Sequence, residues 1–214
     1  MKTYLFDFDG TLVDSMPAFV SGVLKVLDDN SIKYSDDIVK TITPLGLLGT
    51  ANYFKKEFNL DYTTEEIIEL FKQNMLGEYF YNIPAKKNVV KTLKALKERG
   101  DSLNVLTASP HVTLDACLKR LELYNLFDNV WSCDDFSTTK ANPKIYEQVA
   151  EKLGKKTNEI LFLDDNIFAN QTAKSANMLS CGVYDDSSSD MVEEMKKTCD
   201  FYIFDFTKLL DLEF

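Results

Sequence analysis

Arginine is nearly missing from this chain of 214 residues, occurring only as Arg99 and Arg120. A site that binds phosphate here is expected to draw its cations from lysine. Histidine occurs once, as His111, in a first helical turn where it is either solvated or in reach of a substrate. No apolar run approaches the length of a membrane span. The first apolar run is interrupted by Asp7 and Asp9, which does not fit a signal peptide. The four cysteines, Cys117, Cys133, Cys181 and Cys199, lack paired metal-ligand spacing and read as reduced, partly buried thiols. A formal charge of -10 disfavours nucleic acid as the main partner, because phosphate backbones need a basic face. These absences leave a soluble, cytoplasmic protein with no membrane association as the expectation.

What is present starts at Met1–Ser15. Tyr4, Leu5 and Phe6 form a short apolar run suited to a strand buried on both faces. Asp7 and Asp9 sit where that strand should end, and Gly10 lets the backbone turn at once. Alternation puts both carboxylates on one side of the chain and Phe8 on the other. Acids this close repel unless a cation sits between them. A hard divalent ion such as magnesium prefers carboxylate and carbonyl oxygens.

The rest of the chain divides by period. Ser15 is a possible N-cap, followed by Pro17 and by Phe19, Val23, Val26 and Leu27 at helical spacing. Asp28-Asp29-Asn30-Ser31 ends that helix, Ser35-Asp36-Asp37 opens a short one, and Thr43-Pro44-Leu45-Gly46 breaks it. Residues 46–58 and 63–81 read as helices, the second with a capping arrangement at Thr63–Glu66. Tyr79, Phe80 and Tyr81 suit packing better than a substrate cleft. Beyond Pro84, helical segments at 88–99, 112–121, 143–153, 168–176 and 191–197 alternate with strands at 102–106, 129–132, 159–163, 179–183 and 201–204. That alternation implies crossover units and a parallel sheet, with sites at the carboxyl ends of strands. Asp164-Asp165 and Thr107-Ala108-Ser109 both fall at such ends. Ser109 reads as a second donor beside Thr107 or as a helix cap.

Asp7-Phe8-Asp9-Gly10-Thr11-Leu12-Val13-Asp14-Ser15 resembles the opening motif of the haloacid dehalogenase superfamily in its phosphatase form. Thr107 is similar to the second motif and Asp164-Asp165 to the fourth. Lys140-Ala141-Asn142-Pro143 resembles the third, with Ala141 where the family typically has proline and Lys144 as a weaker competitor. The resemblance implies a Rossmann-like α/β core, a parallel sheet flanked by helices, from residues 1–14 and 85–214. It implies an all-helical cap over 15–84. It further implies Asp7 as nucleophile, Asp9 as general acid and base, and Lys140 as the cation beside them. Gly10, Thr107, Ala108 and Lys140 would bind phosphate. Asp7, Asp9, Asp164 and Asp165 would hold magnesium, Asp9 through its backbone carbonyl. Ala169 and Asn170 stand where many relatives carry a further acid.

The leading functional expectation is a magnesium-dependent phosphatase of a small phosphorylated metabolite, working through an aspartyl-phosphate. A phosphosugar mutase resembling beta-phosphoglucomutase is the second. It would need a distal phosphate site, for which 15–84 offers Lys55 and Lys56 but no arginine. A catalytically silent regulatory or binding protein is the third, and the presence of Asp7, Asp9 and Lys140 speaks against it.

Overall fold

The computed structural model describes residues 1–42 and 45–214. The Thr43-Pro44 half of the expected break lies outside the described residues. Two compact units emerge: Met1–Asp14 with Pro84–Phe214, and Ser15–Ile83.

The first unit is built on six parallel strands among the described residues. They are β1 (Thr3–Phe6), β2 (Ser102–Thr107), β3 (Asn129–Ser132), β4 (Ile160–Asp164), β5 (Leu179–Val183) and β6 (Phe201–Ile203). The sheet order is β3-β2-β1-β4-β5-β6, so the first strand of the chain is an inner one. An inner strand of a parallel sheet is covered on both faces, and Tyr4, Leu5 and Phe6 are fully buried. Leu5 packs in one cluster with Tyr146, Val149, Phe162 and Ala173, which joins helices α7 (Lys144–Lys152) and α8 (Ile167–Ser175) to that face. Phe6 points the other way. It stacks on Phe206 at 6.3 Å and meets Phe127 edge-on at 6.2 Å. Truncating such a side chain to alanine typically costs about 3–5 kcal/mol.

The remaining helices of this unit are α5 (Val89–Glu98), α6 (His111–Arg120) and α9 (Val192–Thr198). Arg99, just beyond α5, is committed to structure: it bonds the Asp101 carboxylate, the Tyr4 hydroxyl and the Leu210 carbonyl. The chain leaves this unit after Asp14 and re-enters at Pro84. The two segments pair there. Val13 forms an antiparallel bridge with Ala85, Asp14 N–H donates to Pro84 O at 3.0 Å, and Lys86 N–H donates to Leu12 O at 3.0 Å.

The second unit contains α1 (Met16–Asp29), α2 (Ile38–Ile42), α3 (Gly46–Phe58) and α4 (Thr64–Tyr81). Its core joins Val23, Val26 and Leu27 of α1 to Ile38, Ile42, Ala51, Phe54, Ile67 and Phe71. Thr63 and Glu66 form the expected capping box, each side chain bonding the other's backbone N–H. Ser15 occupies the N-cap position of α1 in an αR conformation and makes no side-chain cap bond. Tyr79 is largely buried, as packing would have it, whereas Tyr81 is 78% exposed. No helix among the described residues is long and apolar enough to cross a membrane.

Candidate active site

The register of β1 and β4 assembles the acids. Phe6 pairs with Leu163, so the next residues, Asp7 and Asp164, leave adjacent strands at the same level. Asp7 is 4% exposed and Asp164 fully buried. Lys140 Nζ lies 2.6 Å from Asp7 Oδ1 and 2.7 Å from Asp164 Oδ2. The other Asp164 oxygen accepts from Asn166 N–H at 2.7 Å. Asp165 follows, and its Oδ1 accepts from the Thr11 hydroxyl at 3.0 Å while its own N–H donates back to Thr11 Oγ1 at 3.1 Å. The turn after β1 is thereby pinned to the turn after β4. Carboxylate oxygens of Asp7, Asp164 and Asp165 all lie within 4.8 Å of one another.

One ammonium does not balance this cluster. Burial would lower the Lys140 pKa, yet Asp164 and Asp7 outweigh it and hold the lysine charged, well above its ordinary value. Burial pushes Asp164 up to about 7 against the pull of Lys140. Burial, then the charges of Asp164, Asp7 and Asp185, push Asp165 well above the usual carboxylate range. Asp165 is short of positive charge. An all-oxygen donor set with surplus negative charge fits a hard divalent cation such as magnesium, and does not fit a soft or nitrogen-preferring metal.

Asp9 is held differently. Its Oδ2 accepts from the Ser109 hydroxyl at 2.5 Å, and its side chain stands outside the group formed by Asp7, Asp164 and Asp165. Ser109 N–H in turn donates to Thr107 Oγ1 at 3.1 Å, leaving the Thr107 hydroxyl hydrogen free for another acceptor. Ser109 therefore joins the acids, and Pro110 takes the N-cap position of α6 with no side-chain cap. Gly10 has φ +75°, and a Cβ built there would stand 2.6 Å from Asp165 Oδ2. Only glycine fits that approach. Its N–H is already engaged with Val13 O at 3.0 Å.

The structure thus brings together Asp7, Lys140, Asp164 and Asp165, and separately Asp9, Ser109 and Thr107. Ala108 is exposed beside them. Ala141, in place of proline, does not keep Lys140 from Asp7: the Lys140 carbonyl and the Ala169 carbonyl both lie near the Tyr146 hydroxyl, at 3.2 and 3.1 Å. Lys144 is exposed at the start of α7. Asn170, where an acid was conceivable, is fully buried and donates to the Asp164 carbonyl at 2.9 Å.

Sequence reasoning missed Lys86. Its Nζ donates to the carbonyls of Gly10 at 2.7 Å and Tyr184 at 2.6 Å and to Asp185 Oδ2 at 2.9 Å. All three ammonium hydrogens are used, and the turn that follows Asp9 is held to the end of β5. A lysine in a Lys-Lys pair reads as solvated, and no local signal marks this one. His111, read as solvated or substrate-facing, is 41% exposed at its side chain and sits between the carboxylates of Asp115 and Asp135.

Residues 4–183 match the family model for haloacid dehalogenase-like hydrolases. Among curated proteins the chain is 27% identical over 169 residues to pyrophosphatase PpaX of Bacillus cereus strain AH820, spanning 78% of this chain and 75% of that protein. A solved structure described as a predicted phosphoglycolate phosphatase from Haemophilus somnus 129PT superposes with a TM-score of 0.82 at 25% identity, covering 99% of this chain and 97% of that one. CbbY from Rhodobacter sphaeroides in complex with phosphate shares the fold, with a TM-score of 0.79 at 17% identity over 99% of this chain and all (100%) of that one.

Proposed function

The chain belongs to the haloacid dehalogenase-like hydrolases, and from that premise we propose that it is a magnesium-dependent phosphatase of a small phosphorylated metabolite. One observation carries the reading. A buried carboxylate, Asp7, shares an ammonium with Asp164 while the neighbouring acid, Asp9, is held apart by Ser109. Two carboxylates on one turn in unlike surroundings suit unlike tasks.

In the first half-reaction an oxygen of Asp7 attacks phosphorus and the bond to the leaving oxygen breaks. Asp9, in its protonated form, gives that oxygen its proton. In the second, Asp9 takes a proton from water as the water oxygen attacks phosphorus of the aspartyl-phosphate, releasing inorganic phosphate and restoring Asp7. Lys140 offsets charge on the transferring group, the Thr107 hydroxyl donates to one of its oxygens, and the exposed turn at Ala108 with Gly10 borders it. Asp7, Asp164 and Asp165, with the Asp9 carbonyl, would hold magnesium, which supplies charge neutralisation for attack on a dianion. The helical unit Ser15–Ile83 is assigned the choice of substrate, and the protein is assigned to the cytoplasm.

The test is a phosphate-release screen over small esters and pyrophosphate, with magnesium and with chelator. Metal-dependent release from one compound class supports the proposal. Turnover of a sugar phosphate only with its bisphosphate activator would replace it with a mutase. Silence of well-folded protein toward all of them would favour a binding role.

A further inference from the structure

His111 opens α6, directly after the turn that carries Thr107 and Ser109. Its Nδ1 lies 2.9 Å from Asp115 Oδ1, one helical turn on. Its Nε2 lies 2.9 Å from Asp135 Oδ2. Asp135 belongs to the short 3-10 turn Cys133–Phe136 that follows β3, and the same Oδ2 accepts from Ser132 N–H at 2.9 Å. From that turn the chain runs through Ser137, Thr138 and Thr139 to Lys140.

A neutral imidazole carries one N–H and one lone pair. Between two carboxylates, one ring nitrogen would then present a lone pair to an anion. Only imidazolium donates to both. The amino end of a helix disfavours a cation, and partial burial does so too. The bonds to Asp115 and Asp135 outweigh these and raise the histidine above its ordinary value. Among the described residues, those two carboxylates, one from its own helix and one from the turn after β3, are the charged groups bonded to it.

The clamp joins two segments that each deliver a hydrogen bond to a different acid. The turn after β2 delivers Ser109 to Asp9, and the segment after β3 delivers Lys140 to Asp7. We infer that His111 is a positioning residue, which fixes the Ser109 turn against the segment leading to Lys140 through both of its ring nitrogens. Its functional half rests on the roles proposed above for Asp7 and Asp9; its structural half does not.

The experiment uses the fact that His111 is the sole histidine, so its imidazole signals need no assignment. Nitrogen-15 spectra of the full chain should show both ring nitrogens protonated at pH 7, with a titration midpoint above 6.5. Asp135→Asn should lower that midpoint by about one pH unit, the effect of removing one opposite charge at contact. The backbone amides of Ser109 and of residues 137–140 should titrate together with the ring in the wild type and separately in Asp135→Asn. A neutral tautomer at pH 7, or uncoupled amides in the wild type, overturns the inference whether or not the protein is a phosphatase. With p-nitrophenyl phosphate as the probe, kcat/KM should fall by about tenfold as pH rises through the midpoint, within the loss that small misplacement produces. His111→Gln should run at the low level with that step gone, and an unchanged wild-type profile in His111→Gln overturns the positioning role.

Discussion

Lys140 Nζ stands 2.6 Å from Asp7 Oδ1, across 133 residues of sequence. The contact is made possible by two adjacent strand ends and one loop, and it sets the Lys140 ammonium against the carboxylate proposed to attack phosphorus. Lys140→Met should lower kcat by about 100- to 1,000-fold, the range seen on losing one preorganised electrostatic group. Phosphate-release kinetics would measure it, and a loss under tenfold would move the role to another cation.

Asp7→Asn should abolish turnover and leave the far-ultraviolet circular dichroism unchanged, because the amide keeps the shape of the side chain. Ser109→Ala should act more gently. It removes one hydrogen bond to a charged acceptor, worth about 1.5–3 kcal/mol, and should lower kcat by about tenfold and the melting temperature by several degrees. Equal kcat in wild type and Ser109→Ala would show that Asp9 does not depend on that hydroxyl.

Gly10→Ala meets two obstacles, a φ of +75° and the Asp165 carboxylate 2.6 Å from the new Cβ. Left-handed backbone costs a non-glycine residue about 1–2 kcal/mol. The displaced Asp165 should also weaken metal binding. Magnesium should raise the melting temperature of the wild type, by mass action on the folded state, and raise that of Gly10→Ala less at equal concentration. Identical magnesium-dependent shifts would place the metal away from Asp165.

Lys86→Met leaves the Asp185 carboxylate, 5% exposed at its side chain, without its counter-charge. Breaking a buried pair from one side costs about 3–5 kcal/mol. Denaturant unfolding of Lys86→Met, Asp185→Asn and the double variant would close a cycle. The double variant should be more stable than Lys86→Met alone. Additive losses would mean that Lys86 acts through the Gly10 and Tyr184 carbonyls only.

The His111 clamp has a pH sign of its own. Its folded-state value is raised, so the stability it contributes is fully present below about 6.5, the free-histidine value, and is lost as pH rises through the folded value. His111→Asn should flatten that slope in melting curves taken between pH 6 and 9. An unaltered slope would assign it to other groups.

The centre of the sheet was legible because two of its strands, β1 and β4, are written as apolar runs that end in acids. Tyr4-Leu5-Phe6 before Asp7, and the run ending at Asp164-Asp165, carry fold and site in the same few residues. β3 and β5 fall on the spans expected of them. What was not legible depends on partners far along the chain. Lys86 meets Asp185 across 99 residues, and nothing near Lys86 anticipates a buried ammonium. Ser109 offered a cap or a site donor by local rules, and the position of Asp9, 100 residues away, decided it. Ser15 failed as a capping side chain because its backbone is already helical, whereas capping needs an extended residue.

The bridge between Val13 and Ala85 has a consequence for how this chain can vary. Where the polypeptide departs from the sheet and where it comes back are already paired, so the ends of the intervening stretch are held together within the sheet unit. Doubling the length of an excursion with joined ends costs only about 0.6 kcal/mol in closure entropy. The crossing therefore sets only a small closure cost on a change in the length of that stretch. On the proposed assignment of substrate choice to Ser15–Ile83, what the protein accepts and what it does to it would be encoded in separate stretches of the chain.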